Sequence, residues 1–238
     1  MIIPIVALFT VLTFVCFVYI KPPITRWIAG SFAFLLLTGS ILMIVFNFTH
    51  GFGMKEVTTI TEHEIFSAGD LSAPYGLIIK TEVGENSGNF VFVYRNSKDE
   101  SAKPTPHFQP DTSNIIETTK KTADFKEVAG TKASVKTVTV RRVFSSEWMN
   151  LLFGIGGENK ELVSEHSTVS IPKDTWLILT QKQAEDLEKE APELAAEQKA
   201  QLLTDPQKAM ALEILQKSNP TEFAKMQVTQ IKELLGVK

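Results

Sequence analysis

The side chains best suited to chemistry near neutral pH are four histidines, His50, His63, His107 and His166. Glu62-His63-Glu64 and Glu165-His166 set carboxylates beside imidazoles, the pairing that a metal ion or a general base would use. In a strand, however, successive side chains point to opposite faces, so neighbours in sequence do not share a site. No histidine has a partner at zinc-ligand spacing, and the single cysteine, Cys16, lies inside an apolar run. A metal centre would have to join His63 and His166 across strands. Gly154-Ile155-Gly156-Gly157 lacks the third glycine of a dinucleotide fingerprint and the ending of a phosphate loop, so it reads as a plain turn. Arg141 and Arg142 fall on alternate faces of a strand, with one directed to solvent or to an acid. The sequence thus predicts a protein that is not an enzyme, with no catalytic, cofactor-binding or metal-binding residues and no cofactor.

Hydropathy sets the elements that carry these residues. Ile2–Ile20 and Trp27–Phe48 are uncharged runs of 19 and 22 residues; as helices they would span about 28 and about 33 Å, each enough for a bilayer core. The first run has no basic leader and no small-x-small cleavage site after it, so it is predicted to be a retained span rather than a signal peptide. Between the runs lies the stretch 21–26, whose Lys21 and Arg26 are the only charged side chains before Lys55. Short basic loops stay in the cytoplasm. Lys21 and Arg26 are therefore the topology determinants, and they predict a two-pass cell-membrane protein with its N-terminus and C-terminal domain extracytoplasmic. Tyr19 and Trp27 sit where interface anchors belong. Ala29, Gly30 and Ala33 form a small-residue helix-packing face, for a partner's membrane helix or for the first helix of the same chain.

From Lys55 onward the chain carries 22 basic against 27 acidic side chains. That balance argues against a nucleic-acid partner and against electrostatic docking on anionic lipid. With one cysteine, no intrachain disulfide can form. Residues 51–56 read as a glycine-punctuated hinge, and 57–180 as a β-rich domain. Its predicted strands are Val57–Ser67, Gly76–Val83, Asn89–Arg95, Ser134–Phe144, Leu162–Ile171 and Thr175–Thr180. Residues 84–88 form a hairpin loop, and 90–94, apolar on both faces, a central strand. The stretch 96–112, with three prolines, reads as a long exposed loop. Trp148, Leu151, Leu152 and Ile155 mark a short amphipathic helix after a serine cap, lying on its own sheet, the membrane or a partner. The tail, 181–238, is Ala-, Glu-, Lys- and Leu-rich and therefore helical. Its prolines recur every 14 residues at Pro192, Pro206 and Pro220, and Asp205 and Asn219 cap at least the last two helix starts. The predicted fold class is membrane α plus β: a two-helix transmembrane hairpin, a mostly antiparallel β-sandwich or small barrel, and short C-terminal α-helices.

Two spans joined by 21–26, followed by a β-rich domain ending in Ile171-Pro172-Lys173-Asp174-Thr175-Trp176, resemble uncharacterised two-span membrane proteins of low-GC Gram-positive bacteria that carry a domain of unknown function. The resemblance extends to about Thr180 and implies a bacterial plasma membrane and no assigned activity. The leading expectation is an anchored accessory or interaction protein that presents the β domain and tail outside the cell to a transporter or envelope complex. Its partners would be the lipid bilayer and either a membrane protein or a second copy of itself. A membrane-anchored sensor or ligand-binding module using 96–112 is the alternative. A hydrolase relying on His63 or His166, or the same domain facing the cytoplasm, are further readings.

Overall fold

The two uncharged runs form helices α1 (Ile2–Tyr19) and α2 (Pro23–His50) in a computed structural model that describes residues 1–99, 101–157, 159–204 and 206–236. Both are long and apolar enough to cross a membrane, with mean hydropathies of 2.6 and 2.3. α2 begins four residues before Trp27, because Pro23 takes a first-turn position where its missing N–H costs nothing. The Arg26 N–H then closes on the Pro22 carbonyl, so four of the six residues of the basic connection, 23–26, are already helical. Gly30, Ala33, Ser40 and Asn47 are the buried residues of α2, and their spacings of three and seven trace one seam. A Cβ on Gly30 would stand 2.6 Å from the Phe17 ring, so the small residue is what lets α1 approach. The hydroxyls of Thr10, Thr13, Ser40 and Thr49 each donate to a carbonyl three or four residues earlier in their own helix. These four are thereby paired without a partner outside their own helix.

The chain divides into two compact units, Met1–Thr59 with Thr139–Ser164, and Ile60–Val138 with Glu165–Lys238. In the first, the exit from α2 is tied down. Gly51 adopts φ 63° and donates to the Asn47 carbonyl, and the Asn47 amide donates to the Phe52 carbonyl at 2.7 Å. Ser145 donates to the Gly53 carbonyl through both its N–H and its hydroxyl, each at 2.9 Å. Helix α4 (Glu147–Phe153), capped by Ser146, turns Met149, Leu152 and Phe153 onto Ile2, Val6, Ile44, Met54 and Phe144.

Eight strands make two four-stranded sheets. The first has the order β1 (Met54–Ile65), β6 (Ala133–Phe144), β7 (Glu161–Pro172), β5 (Lys121–Val128); residues 54–59, 139–144 and 161–164 of it belong to the first unit. The second has the order β4 (Thr105–His107), β3 (Phe90–Tyr94), β2 (Gly76–Glu82), β8 (Trp176–Thr180). Both sheets are mixed, which corrects the mostly antiparallel expectation. β2 and β3 form the antiparallel hairpin, but β2 pairs in parallel with β8, and β5 with β7. These parallel partners are far apart in sequence, where turn signals carry no information about direction. The barrel alternative is replaced by a sandwich. In the second unit Ile65, Ala123, Val135, Val169 and Ile171 of one sheet share a core with Ile78, Phe92, Tyr94 and Trp176 of the other. Gly76 lies opposite Trp176 in the register, and a Cβ there would fall 2.3 Å from the indole.

The tail covers the outer face of the second sheet. α5 (Gln181–Thr204) and α7 (Pro220–Leu234) bring Leu187, Val228 and Ile231 against Leu177 and Leu179 of β8. α5, longer than a short helix, carries Pro192 in its interior, while Pro206 and Pro220 open α6 (Pro206–Ser218) and α7. Asn219 caps α7 by accepting from the Glu222 N–H; the Asp205 cap lies outside the described residues.

Candidate ligand-binding cleft

The loop predicted over 96–112 contains a strand. β4 adds to the edge of β3, a position that tolerates Pro106 because an edge strand can dispense with one donor. The pairing lays the His107 ring on Tyr94, with centroids 3.9 Å apart and planes 10° from parallel. Burial pushes the Tyr94 phenol up to about 12. Burial also holds His107 below the usual imidazole range, against the Tyr94 backbone hydrogen bond that favours its charged form; the nearby His63 adds a smaller lowering. Phe108 then takes φ 63°, unusual for a bulky side chain, and its ring meets Phe92 at 6.3 Å.

After Phe108 the chain folds back on itself. The Asp111 carboxylate accepts from the N–H and hydroxyl of Ser113 at 2.8 and 2.6 Å, which lowers its pKa. The Asp111 N–H donates to Thr118, at the end of α3 (Ile115–Thr118). Asn114 caps α3 by accepting from the Glu117 N–H. β5 follows, and its parallel register sets Lys121 beside Glu165, Thr122 beside His166 and Ala123 beside Ser167. Asn89, at the start of β3, accepts from the Ala123 N–H at 2.7 Å and so ties the two sheets together at this end.

The result is a cleft of about 270 Å³ lined by Asn89, Phe108–Asp111, Thr118, Lys121, Thr122, Glu165 and Ser167. It offers the Lys121 ammonium, two carboxylates (Glu165, and Asp111 already held by Ser113), hydroxyl and amide groups and one aromatic wall, the mixture that orients a small polar molecule. A larger hollow of about 590 Å³ along α5 is bordered by Leu77, Ile79 and Leu187 and extends the aliphatic packing beneath the tail. Of the cleft residues, only Phe108–Asp111 fall within the loop that sequence reasoning marked out. Lys121, Asn89 and Ser167 carried no motif, and Glu165 stood out only as the neighbour of His166; the Asn114-to-Glu117 spacing, a helix-start signature, was a further local sign of a built corner here.

The histidines do not come together. His63 on β1 and His166 on β7 are separated by β6, roughly 10 Å at the usual strand spacing. His166 Nδ1 lies 2.9 Å from the Thr122 hydroxyl, while Asp124 and Thr168 both approach Nε2, at 3.5 and 3.3 Å. The Asp124 carboxylate and the Thr122 hydroxyl thus lie on different ring nitrogens, as in a nucleophile relay, but His166 and Asp124 are 50% and 45% exposed, where a relay holds its acid buried. His50, at the end of α2, contacts Thr49 at 2.6 Å. Among the described residues no three His, Cys, Asp or Glu side chains are gathered as an ion would need. Arg142 pairs with Glu56 at 3.4 Å and Arg141 donates to the Lys160 carbonyl, while Gly154–Gly156 is a 3-10 turn. In the hairpin, Gly30 and Ala33 are buried and Ala29 half-buried; Tyr19, Lys21 and Trp27 are exposed and Arg26 half-buried. Trp27 meets Phe17 edge-on at 5.8 Å.

Comparison with protein families matches residues 22–187 to a domain of unknown function, DUF4811. Neither the curated proteins nor the solved structures give a match. The matched span is well over half of the chain, and the chain belongs to the DUF4811 family.

Proposed function

We propose that this DUF4811 protein is a two-span plasma-membrane protein of a low-GC Gram-positive bacterium that holds a ligand-binding β domain outside the cell. Support for insertion comes from the hairpin itself. Only 11% and 17% of its apolar windows are buried by the chain, where a core helix of a soluble protein would be mostly covered. Lys21 and Arg26, the sole charges before Lys55, assign the connection to the cytoplasmic side. The binding reading rests on one observation, the convergence of Lys121, Glu165, Asn89 and Ser167 on a cleft walled by Phe108. An ammonium and a carboxylate within so small a volume suit a small zwitterion with an apolar edge for the phenyl ring.

The interaction-subunit reading loses one of its supports, because Val228 and Ile231 of the tail are buried within the chain. It keeps one specific support. Ile115 and Ile116, 69% and 72% exposed beside the cleft, give a transporter or envelope partner an apolar contact. Thermal-shift screening of the full chain in detergent, against amino acids, short peptides and envelope precursors, tests the binding function. A ligand at a hundred times its Kd should add about 2.7 kcal/mol of stability, and Lys121→Ala should abolish the shift. Flat profiles across the panel, with a stoichiometric protein recovered by crosslinking in native membranes, would favour the interaction subunit instead.

A further inference from the structure

Helix α4 is apolar on more of its surface than the fold uses. At about 100° per residue, Met149, Leu152 and Phe153 share one arc, and these are the side chains packed on Ile2, Val6 and Ile44. Trp148, Leu151 and Ile155, the last in the following turn, share the next arc and stand 73%, 45% and 60% exposed. Glu147 and Asn150 keep to the remaining side. A helix apolar on two faces needs two apolar environments, and the chain supplies one of them.

The position of α4 says what the other is. Its packed arc fixes it beside the start of α1 and the last turns of α2, and the Met1 amine donates to the Leu151 and Leu152 carbonyls at 2.6 and 2.9 Å. At that same end Ile3 and Phe48 point outward from the hairpin, and Phe52 follows, 46% exposed. The exposed stripe of α4 therefore continues the outer apolar surface of α1 and α2. Among the described residues the Trp148 indole N–H has no protein acceptor. An indole with an apolar body and an unpaired N–H is suited to the headgroup boundary.

We infer that α4 and its following turn form a third membrane contact, a collar in which Trp148, Leu151 and Ile155 enter the bilayer interface at the open end of the hairpin. This rests on the reading that the hairpin crosses the bilayer. The attraction is apolar rather than electrostatic, since the stripe carries no charge, so zwitterionic lipid suffices.

The three tryptophans make the test direct, since Trp27 lies in α2, Trp148 in α4 and Trp176 in the sandwich core. The full chain is reconstituted in phosphatidylcholine vesicles carrying bromine at shallow or deep acyl positions. Trp176 is kept throughout for folding: Trp27→Phe reports Trp148, Trp148→Phe reports Trp27, and the double variant gives the background. Trp148 emission should be blue-shifted and quenched, more by shallow than by deep bromine, with Trp27 quenched as well. Quenching of Trp27 with Trp148 at background overturns the collar and leaves the hairpin in place. A blue shift of Trp148 without quenching also overturns it, in favour of a second copy or another protein on that face. Absence of quenching at both positions removes the hairpin reading and the collar together.

Discussion

His107 shows how one side chain can hold a corner together. It sits where three-residue β4 meets the left-handed Phe108, stacked on a tyrosine whose phenol is itself displaced upward by burial. Because burial keeps the folded imidazole below its ordinary value of 6.5, the unfolded chain takes up the proton first as pH falls. The contribution is thus fully present above that value and declines below it. Chemical denaturation at about pH 7.5 and about pH 5.5 should show a stability loss that shrinks in His107→Phe. Equal losses in the two proteins would mean that other groups set the acid limb. Little of this corner was legible in the sequence. Pro104, Pro106 and Pro110 dominate the local signal and suggest loop, whereas an edge strand needs only alternate backbone donors. The cleft residues depend on pairings of high sequence separation, such as Lys121 with Glu165 and Asn89 with Ala123, and local pattern cannot report those.

At the level of elements, legibility followed how strongly burial dictated the pattern. The hairpin β2–β3 carries alternating or continuous apolar residues and was predicted close to its final bounds. β5, Lys121–Val128, was not predicted, because as an edge strand it fully buries only Ala123, with Phe125 and Val128 half-buried among charged neighbours. The direction of pairing was unreadable for the same reason that the cleft was. The tail shows the converse case, with evenly spaced prolines that have unequal meanings. Pro206 and Pro220 begin helices, while Pro192 is carried inside α5, where its missing N–H leaves the carbonyl four residues earlier without a helical partner. If α7 is an integral layer of the domain, its two edges should respond differently to truncation. Ile231→Ala, in the cluster with Leu177 and Leu179, should cost about 2–4 kcal/mol. Leu234→Ala, 45% exposed, should stay within about 0.5 kcal/mol. Equilibrium unfolding of both variants checks this; equal and small effects would mean that α7 is only loosely attached.

For the molecule as a whole, family membership fixes what the chain is related to without fixing an activity, and the physical reading supplies the rest. Two helices with uncovered apolar surfaces, four hydroxyls satisfied within their own turns and a small-residue seam against Phe17 suit a lipid environment. From the sequence the hairpin was the most legible part of the chain, since long uncharged runs have few soluble uses. The orientation proposed for it follows from Lys21 and Arg26. That orientation decides whether the cleft meets the cell exterior or the cytoplasm. It can be measured in a Cys16→Ser background with single cysteines introduced as Thr25→Cys, in the connection, and Ser101→Cys, in the exposed loop of the β domain. Labelling of intact cells with a membrane-impermeant maleimide should mark the cysteine at 101 at once and the one at 25 only after permeabilisation. The opposite pattern would place the domain in the cytoplasm and contradict the account.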